Sequence, residues 1–121
     1  MIETKGLNGA QAFLKVLKAM GVEKIFASPG SEWAPVWEAL ADPGANDIPL
    51  YMSTRHEETA IGMASGYAKS TGKLPAVMIH TTVGALHGAM AMLSPAKITI
   101  GTCSWSAPRI AMAPWRAPTV V

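Results

Sequence analysis

Stretches with helical spacing alternate along this chain with short apolar runs of strand length, and that alternation limits the fold more than any other feature of the sequence. Asn8 and Gln11 have the spacing of a capping box; Phe13, Val16, Leu17 and Met20 then recur at helical intervals, with Lys15 and Lys18 on the opposite face. Gly21 supplies a left-handed stop. Residues 22–27 are strand-like and run into Ser28-Pro29-Gly30-Ser31, a turn that opens a second, short helix with Pro35 in its first turn and Leu40 near its end. A loop over 42–47 precedes a second strand at 48–53, a third helix over 57–69 stopped near Gly72, and a third strand at 74–79. Residues 81–84 then lead into an Ala- and Met-rich helix that ends before Pro95. This rhythm predicts an α/β domain: a parallel sheet with helices on both faces.

In such a sheet the loops that follow the strands collect along one edge, where ligands bind. Here those loops are 28–31, 54–58 and 80–84, and the candidate chemistry lies in them. A chain of 121 residues has room for one core, too little for two domains with a cleft between them. A net charge of +2 gives no argument for nucleic acid or a membrane surface as partner. All eight acidic residues lie at or before Glu58, and the charges beyond it are the scattered cations Lys69, Lys73, Lys97, Arg109 and Arg116, a solvated-surface pattern. No apolar run approaches the roughly 18 residues that span a bilayer, and Glu3 and Lys5 interrupt any leader core, so a soluble, cytoplasmic protein is expected. Cys103, the only cysteine, excludes an internal disulfide and reads as a packed or loop thiol. The eight methionines read as core filler.

Glu57 and Glu58 fall where the third helix begins, a place that amide dipoles make favourable for carboxylates whatever else they do. Ala60, Ala64 and Ala68 share one face of that helix, and Gly62 and Gly66 are also small, so close packing is expected. A carboxylate at the end of a closely packed helix loses water, which favours its protonated form. His80 follows the third strand directly and is flanked by Thr81 and Thr82; its ring is either an acid, base or donor in the strand-end crevice, or a half-exposed structural histidine. His56 and His87 have weaker claims, and no pair of histidines has metal-ligand spacing with a third donor, so no self-contained metal site is expected. Ser31 reads as a helix cap. Asp42 and Asp47 share one connecting loop, which leaves no persuasive Ser-His-Asp triad.

Three motifs taken together are more specific: Ile25-Phe26-Ala27-Ser28-Pro29-Gly30-Ser31; Arg55-His56-Glu57-Glu58 with Met63-Ala64-Ser65-Gly66-Tyr67-Ala68; and His80-Thr81-Thr82-Val83-Gly84-Ala85. In this order and spacing the chain resembles the N-terminal pyrimidine-binding domain of thiamine-diphosphate-dependent enzymes of the acetolactate synthase and benzoylformate decarboxylase type. The resemblance runs over roughly residues 9–92. It implies that Glu57 hydrogen-bonds the cofactor's aminopyrimidine ring and promotes the imino form that deprotonates the thiazolium C2. It also implies that Pro29 and Gly30 form the turn against the cofactor, with Gly30 permitting close approach, and that Ser31 and His80 contact substrate, His80 assisting proton transfer. A histidine at position 80 tilts the comparison toward a decarboxylase-like parent.

The same resemblance implies what this chain lacks. The family holds the diphosphate and its magnesium through a Gly-Asp-Gly motif with a downstream asparagine on another domain, and builds the site between two subunits. Neither Asp42 nor Asp47 has that context. From Lys97 onward the pattern also fails: there is no acidic residue, Pro108, Pro114 and Pro118 interrupt any helix, Trp105 and Trp115 lack a period, and only a short strand around 98–100 is suggested. Residues 1–93 therefore read as a partial pyrimidine domain, and 94–121 as an atypical tail, disordered or the product of a shifted reading frame. The expected protein is an N-terminal fragment of a 2-oxo acid decarboxylase or carboligase, inactive alone, whose complete form is a homo-oligomer. Two alternatives stand beside it: the pyrimidine-domain subunit of a split sulfopyruvate-type decarboxylase, and a non-catalytic flavodoxin-like binding module.

Overall fold

A computed structural model describes residues 6–42, 46–92 and 101–102, the last two by backbone alone. The first helix, α1 (Gly9–Ala19), starts as its capping box requires: the Asn8 side chain accepts from the Gln11 amide at 2.9 Å, and the Gln11 side chain accepts from the Asn8 amide at 3.0 Å. It stops at Gly21, whose φ of 84° turns the chain so that the amides of Gly21 and Val22 reach back to the carbonyls of Lys18 and Leu17 at 2.9 and 3.0 Å. There follow β1 (Lys24–Ser28), a single 3-10 turn (Ser31–Trp33), α2 (Ala34–Ala41), β2 (Leu50–Ser53), α3 (Glu57–Thr71), β3 (Ala76–Ile79), α4 (Thr81–Met92) and β4 (Gly101–Thr102). Pro35 lies in the first turn of α2, and Gly72, at φ 69°, ends α3.

All strand pairs are parallel and the order is β2-β1-β3-β4. Ile25 lies beside Tyr51 on one side and Ala76 on the other; Phe26 lies beside Met52 and Val77. The strand period of two then divides the core. Ile25, Ala27, Ala76 and Met78 pack with Ala10, Leu14, Trp33, Val36 and Ala39 under α1 and α2, whereas Phe26, Val77 and Ile79 pack with Ala60, Ile61 and Ala64 under α3. Every residue of β3 is buried, which explains why its sequence is an unbroken apolar run without alternation. Truncating Ile61, fully buried between β3, α3 and α4, to alanine is expected to cost about 2–5 kcal/mol in denaturant unfolding.

The sheet places helices on both faces, as the alternation of the sequence requires. Because β2 and β3 flank β1 on opposite sides, the chain leaves β1 in one direction and returns on the other, so the crevice at the carboxyl ends of β1 and β3 is the reversal point where such sheets bind ligands. A strand expected at 98–100 lies outside the described residues, as do Cys103 and the rest of the tail; the described pairing is Gly101 with Ala76 and Thr102 with Val77. Among the described residues no helix is long and apolar enough to cross a membrane.

Candidate functional site

Three strand-end loops are tied to one another by hydrogen bonds that cross between strands. The Trp33 indole donates to the Ile79 carbonyl at 3.2 Å, a buried bond that fastens the turn after β1 to the end of β3. Thr54, after β2, is fastened to the end of β1: its amide donates to the Ala27 carbonyl at 2.6 Å, and its hydroxyl lies 3.0 Å from that same oxygen and 3.1 Å from the His56 carbonyl. The single hydroxyl proton serves either acceptor. Thr54 therefore fixes the two residues that lead into Glu57. Thr54→Val is expected to cost about 0.5–1.5 kcal/mol, read from the midpoint of urea unfolding.

Glu57 is the first residue of α3 and is only 8% exposed, the one buried charged residue among those described. Its side chain lies against the backbone of α4, where two glycines leave room: a Cβ at Gly84 would stand 3.1 Å from both Cγ and Oε1 of Glu57, and one at Gly88 would overlap the end of the Ile61 side chain. The small residues that allow this approach are thus partly those expected and partly not. Ala60 and Ala64 are fully buried, but Gly62 and Gly66 face open space, and the glycines that matter are on α4. Glu58, one step round the helix, is exposed.

The Glu57 carboxylate makes no hydrogen bond to any described residue. Its nearest polar neighbours are His87 Nδ1 and His56 Nδ1, at 3.5 and 3.8 Å from Oε2, and the two imidazole rings stack with centroids 5.5 Å apart and planes inclined by 20°. Neither histidine stood out in the sequence, where the spacing gives no hint that β2–α3 and mid-α4 meet. The fold supplies the juxtaposition that the spacing does not.

His80 is held by a residue that the sequence reading passed over. Its Nδ1 lies 2.8 Å from both carboxylate oxygens of Glu32, and Oε1 of Glu32 also accepts from the Thr81 amide at 3.1 Å. Glu32 thus orients the ring and satisfies an amide at the start of α4. Burial pushes the Glu32 carboxyl upward, but hydrogen bonds from His80 and from the backbone amides of Glu32 and Thr81 outweigh it and hold the group below its ordinary value of 4.5. An ionised carboxylate only accepts, so Nδ1 carries the proton and Nε2 is the ring atom left for other chemistry. The clue lay in position: Glu32 is an acid just beyond the turn after β1, and His80 stands at the neighbouring strand end.

Gly30 makes room for its neighbours within the chain. Its φ of −95° demands no glycine, yet a Cβ there would overlap the His80 ring and the Glu32 carboxylate, so its missing side chain makes room for that pair. Pro29 is half-buried in the same turn. Ser31 is exposed and its side chain caps nothing; Gly30 occupies the cap position, which corrects the reading of Ser31 as a helix cap. A cleft of about 380 Å³ lined by Lys15, Lys18, Ala19, Asn46 and Asp47 lies before β1 and β2, at the other end of the strands, and brings no candidate residue together.

Comparison with known proteins identifies the family and the fold. The family model described as "Thiamine pyrophosphate enzyme, N-terminal TPP binding domain" matches residues 7–97. The acetolactate synthase large subunit of Haemophilus influenzae is 33% identical over 90 residues, covering 74% of this chain and 15% of that protein. The isozyme 2 large subunit of Escherichia coli is 42% identical over 67 residues, 55% of this chain and 12% of that one. Among solved structures, the thiamine diphosphate-dependent 4-hydroxybenzoylformate decarboxylase of Rhodococcus jostii RHA1 superposes with a TM-score of 0.58 at 28% identity, over 68% of this chain and 15% of that chain. The chain therefore spans a small fraction of the length of these relatives. With the family model covering most of the sequence and the parallel sheet matching a member's fold, the chain belongs to the thiamine pyrophosphate enzymes, as an N-terminal pyrimidine-type domain of the acetolactate synthase and decarboxylase kind.

Proposed function

We propose that this chain supplies the aminopyrimidine side of a thiamine diphosphate site in a 2-oxo acid decarboxylase or carboligase, with Glu57 as the group that exchanges a proton with the ring. The observation that carries this reading is a buried carboxylate without a hydrogen-bond partner among the described residues, set at the carboxyl edge of a parallel sheet. Such a group has accepting capacity that no hydrogen bond from a described residue uses, and a ring nitrogen with its proton fits it. When bound, thiamine diphosphate supplies an electron sink for loss of carbon dioxide from a 2-oxo acid.

The residues of this chain divide the remaining work. Glu57 accepts and returns a proton, and the missing side chain of Gly84 leaves room for its carboxylate beside α4. The Pro29–Gly30 turn borders the cofactor, and the exposed Ser31 hydroxyl contacts substrate. His80, oriented by Glu32, uses Nε2 to move a proton to or from the substrate. The diphosphate and magnesium belong to a complementary domain or subunit, and the complete enzyme is a homo-oligomer of the cytoplasm.

Calorimetric titration of thiamine diphosphate with magnesium tests this directly, first on the chain alone and then on the chain with a complementary diphosphate-binding domain. The expected result is weak binding alone, tight binding in the mixture, and carbon dioxide release from a 2-oxo acid by the mixture only. Equal, weak binding in both would favour a non-catalytic binding module.

A further inference from the structure

We infer that His56, Glu57 and His87 form a binding site for a borderline divalent cation of the zinc type, distinct from the magnesium that accompanies a diphosphate. One donor atom from each residue lies within 4.8 Å of the other two. Tetrahedral coordination with bonds of about 2.0–2.1 Å places ligand atoms about 3.3 Å apart. The separations from Glu57 Oε2 are 3.5 Å to His87 Nδ1 and 3.8 Å to His56 Nδ1, so two of the three edges are already near that value. The histidine–histidine edge is within 4.8 Å.

The side chains are able to make that adjustment. Both imidazoles are 55% exposed, so they turn in solvent without disturbing the core, and their near-parallel stacking opens as the ring nitrogens converge. Glu57 is the less mobile member: its side chain is 11% exposed and lies close to α4 at Gly84, where a Cβ would stand 3.1 Å from it. Its carboxylate has no hydrogen bond to surrender. Two imidazole nitrogens and one carboxylate oxygen suit zinc, cobalt or nickel and leave a position for water; magnesium and calcium prefer oxygen donors. The inference stands on this donor set and does not depend on the proposed cofactor chemistry, although a cation here would occupy the carboxylate that chemistry uses.

The 121-residue chain titrated with Co²⁺ in the absence of thiamine diphosphate tests the site, read by the visible d–d absorption of low-symmetry cobalt and by competition with Zn²⁺. One cobalt per chain with tetrahedral-type intensity, displaced by zinc, is expected. His87→Ala and His56→Ala should each weaken binding at least about tenfold, the lower end of the loss seen when even an outer-shell partner is removed. Cys103→Ser should leave it unchanged. Circular dichroism checks that the variants fold, which the exposure of both rings favours. Binding with unaltered affinity in both histidine variants, binding lost in Cys103→Ser, or no cobalt spectrum in the folded parent chain would each overturn the assignment.

Discussion

Replacing Glu57 by glutamine in the assembled enzyme is expected to slow hydrogen exchange at the cofactor's C2 by about 10²- to 10⁴-fold, the range that positioned acid–base groups contribute. Exchange into deuterated solvent, quenched in acid and read by proton NMR, measures it. The fold should survive, because the carboxylate makes no hydrogen bond to a described residue and glutamine has nearly the same volume. Loss of exchange with an unchanged unfolding midpoint is therefore the expected signature. Gly84→Ala acts on the same atoms: a methyl 3.1 Å from Glu57 Oε1 forces the carboxylate to move by a few tenths of an ångström, and a smaller decrease in exchange should follow.

Glu32→Ala should separate a second function from the first. Removing the carboxylate frees the His80 ring from its 2.8 Å contacts, and turnover of the 2-oxo acid is expected to fall about 10²-fold, the cost of misplacing a reacting group by about 1 Å. Exchange at C2 should be unaffected, since Glu57 is untouched. Glu32→Gln provides an acid-stability test. A carboxyl held below 4.5 in the folded state stabilises fully above that pH, and its contribution disappears as pH falls through the lowered value. Glu23, lowered by hydrogen bonds from Lys73 and Tyr67, titrates in the same acid range, so Glu32→Gln should flatten the acid limb of the stability profile only in part.

The elements were legible in the sequence because each carries a local signal with a physical cause. The capping box at Asn8 and Gln11, the glycine stops at Gly21 and Gly72, and the uninterrupted apolar run of β3 act within a few residues of themselves. The position of Glu57 at a strand-end helix start was legible for the same reason. What was not legible depends on contacts between distant segments. Glu32 reaches His80 only because β1 and β3 are neighbours, and the close approach of α3 and α4 rests on Gly84 and Gly88, whereas Gly62 and Gly66 on the other helix look as suitable in sequence and face solvent space instead. The expected cap role of Ser31 failed because a 3-10 turn intervenes before α2 and places Gly30 at the cap.

The account rests on Glu57 facing the cofactor ring from the carboxyl edge of the sheet. A crystal structure of the assembled enzyme with thiamine diphosphate and magnesium bound tests that placement most directly. The account predicts a Glu57 carboxylate oxygen within hydrogen-bond distance of the aminopyrimidine ring, with His80 Nε2 open toward the substrate side. A ring bound elsewhere, with Glu57 turned to solvent or engaged by another protein group, would contradict it.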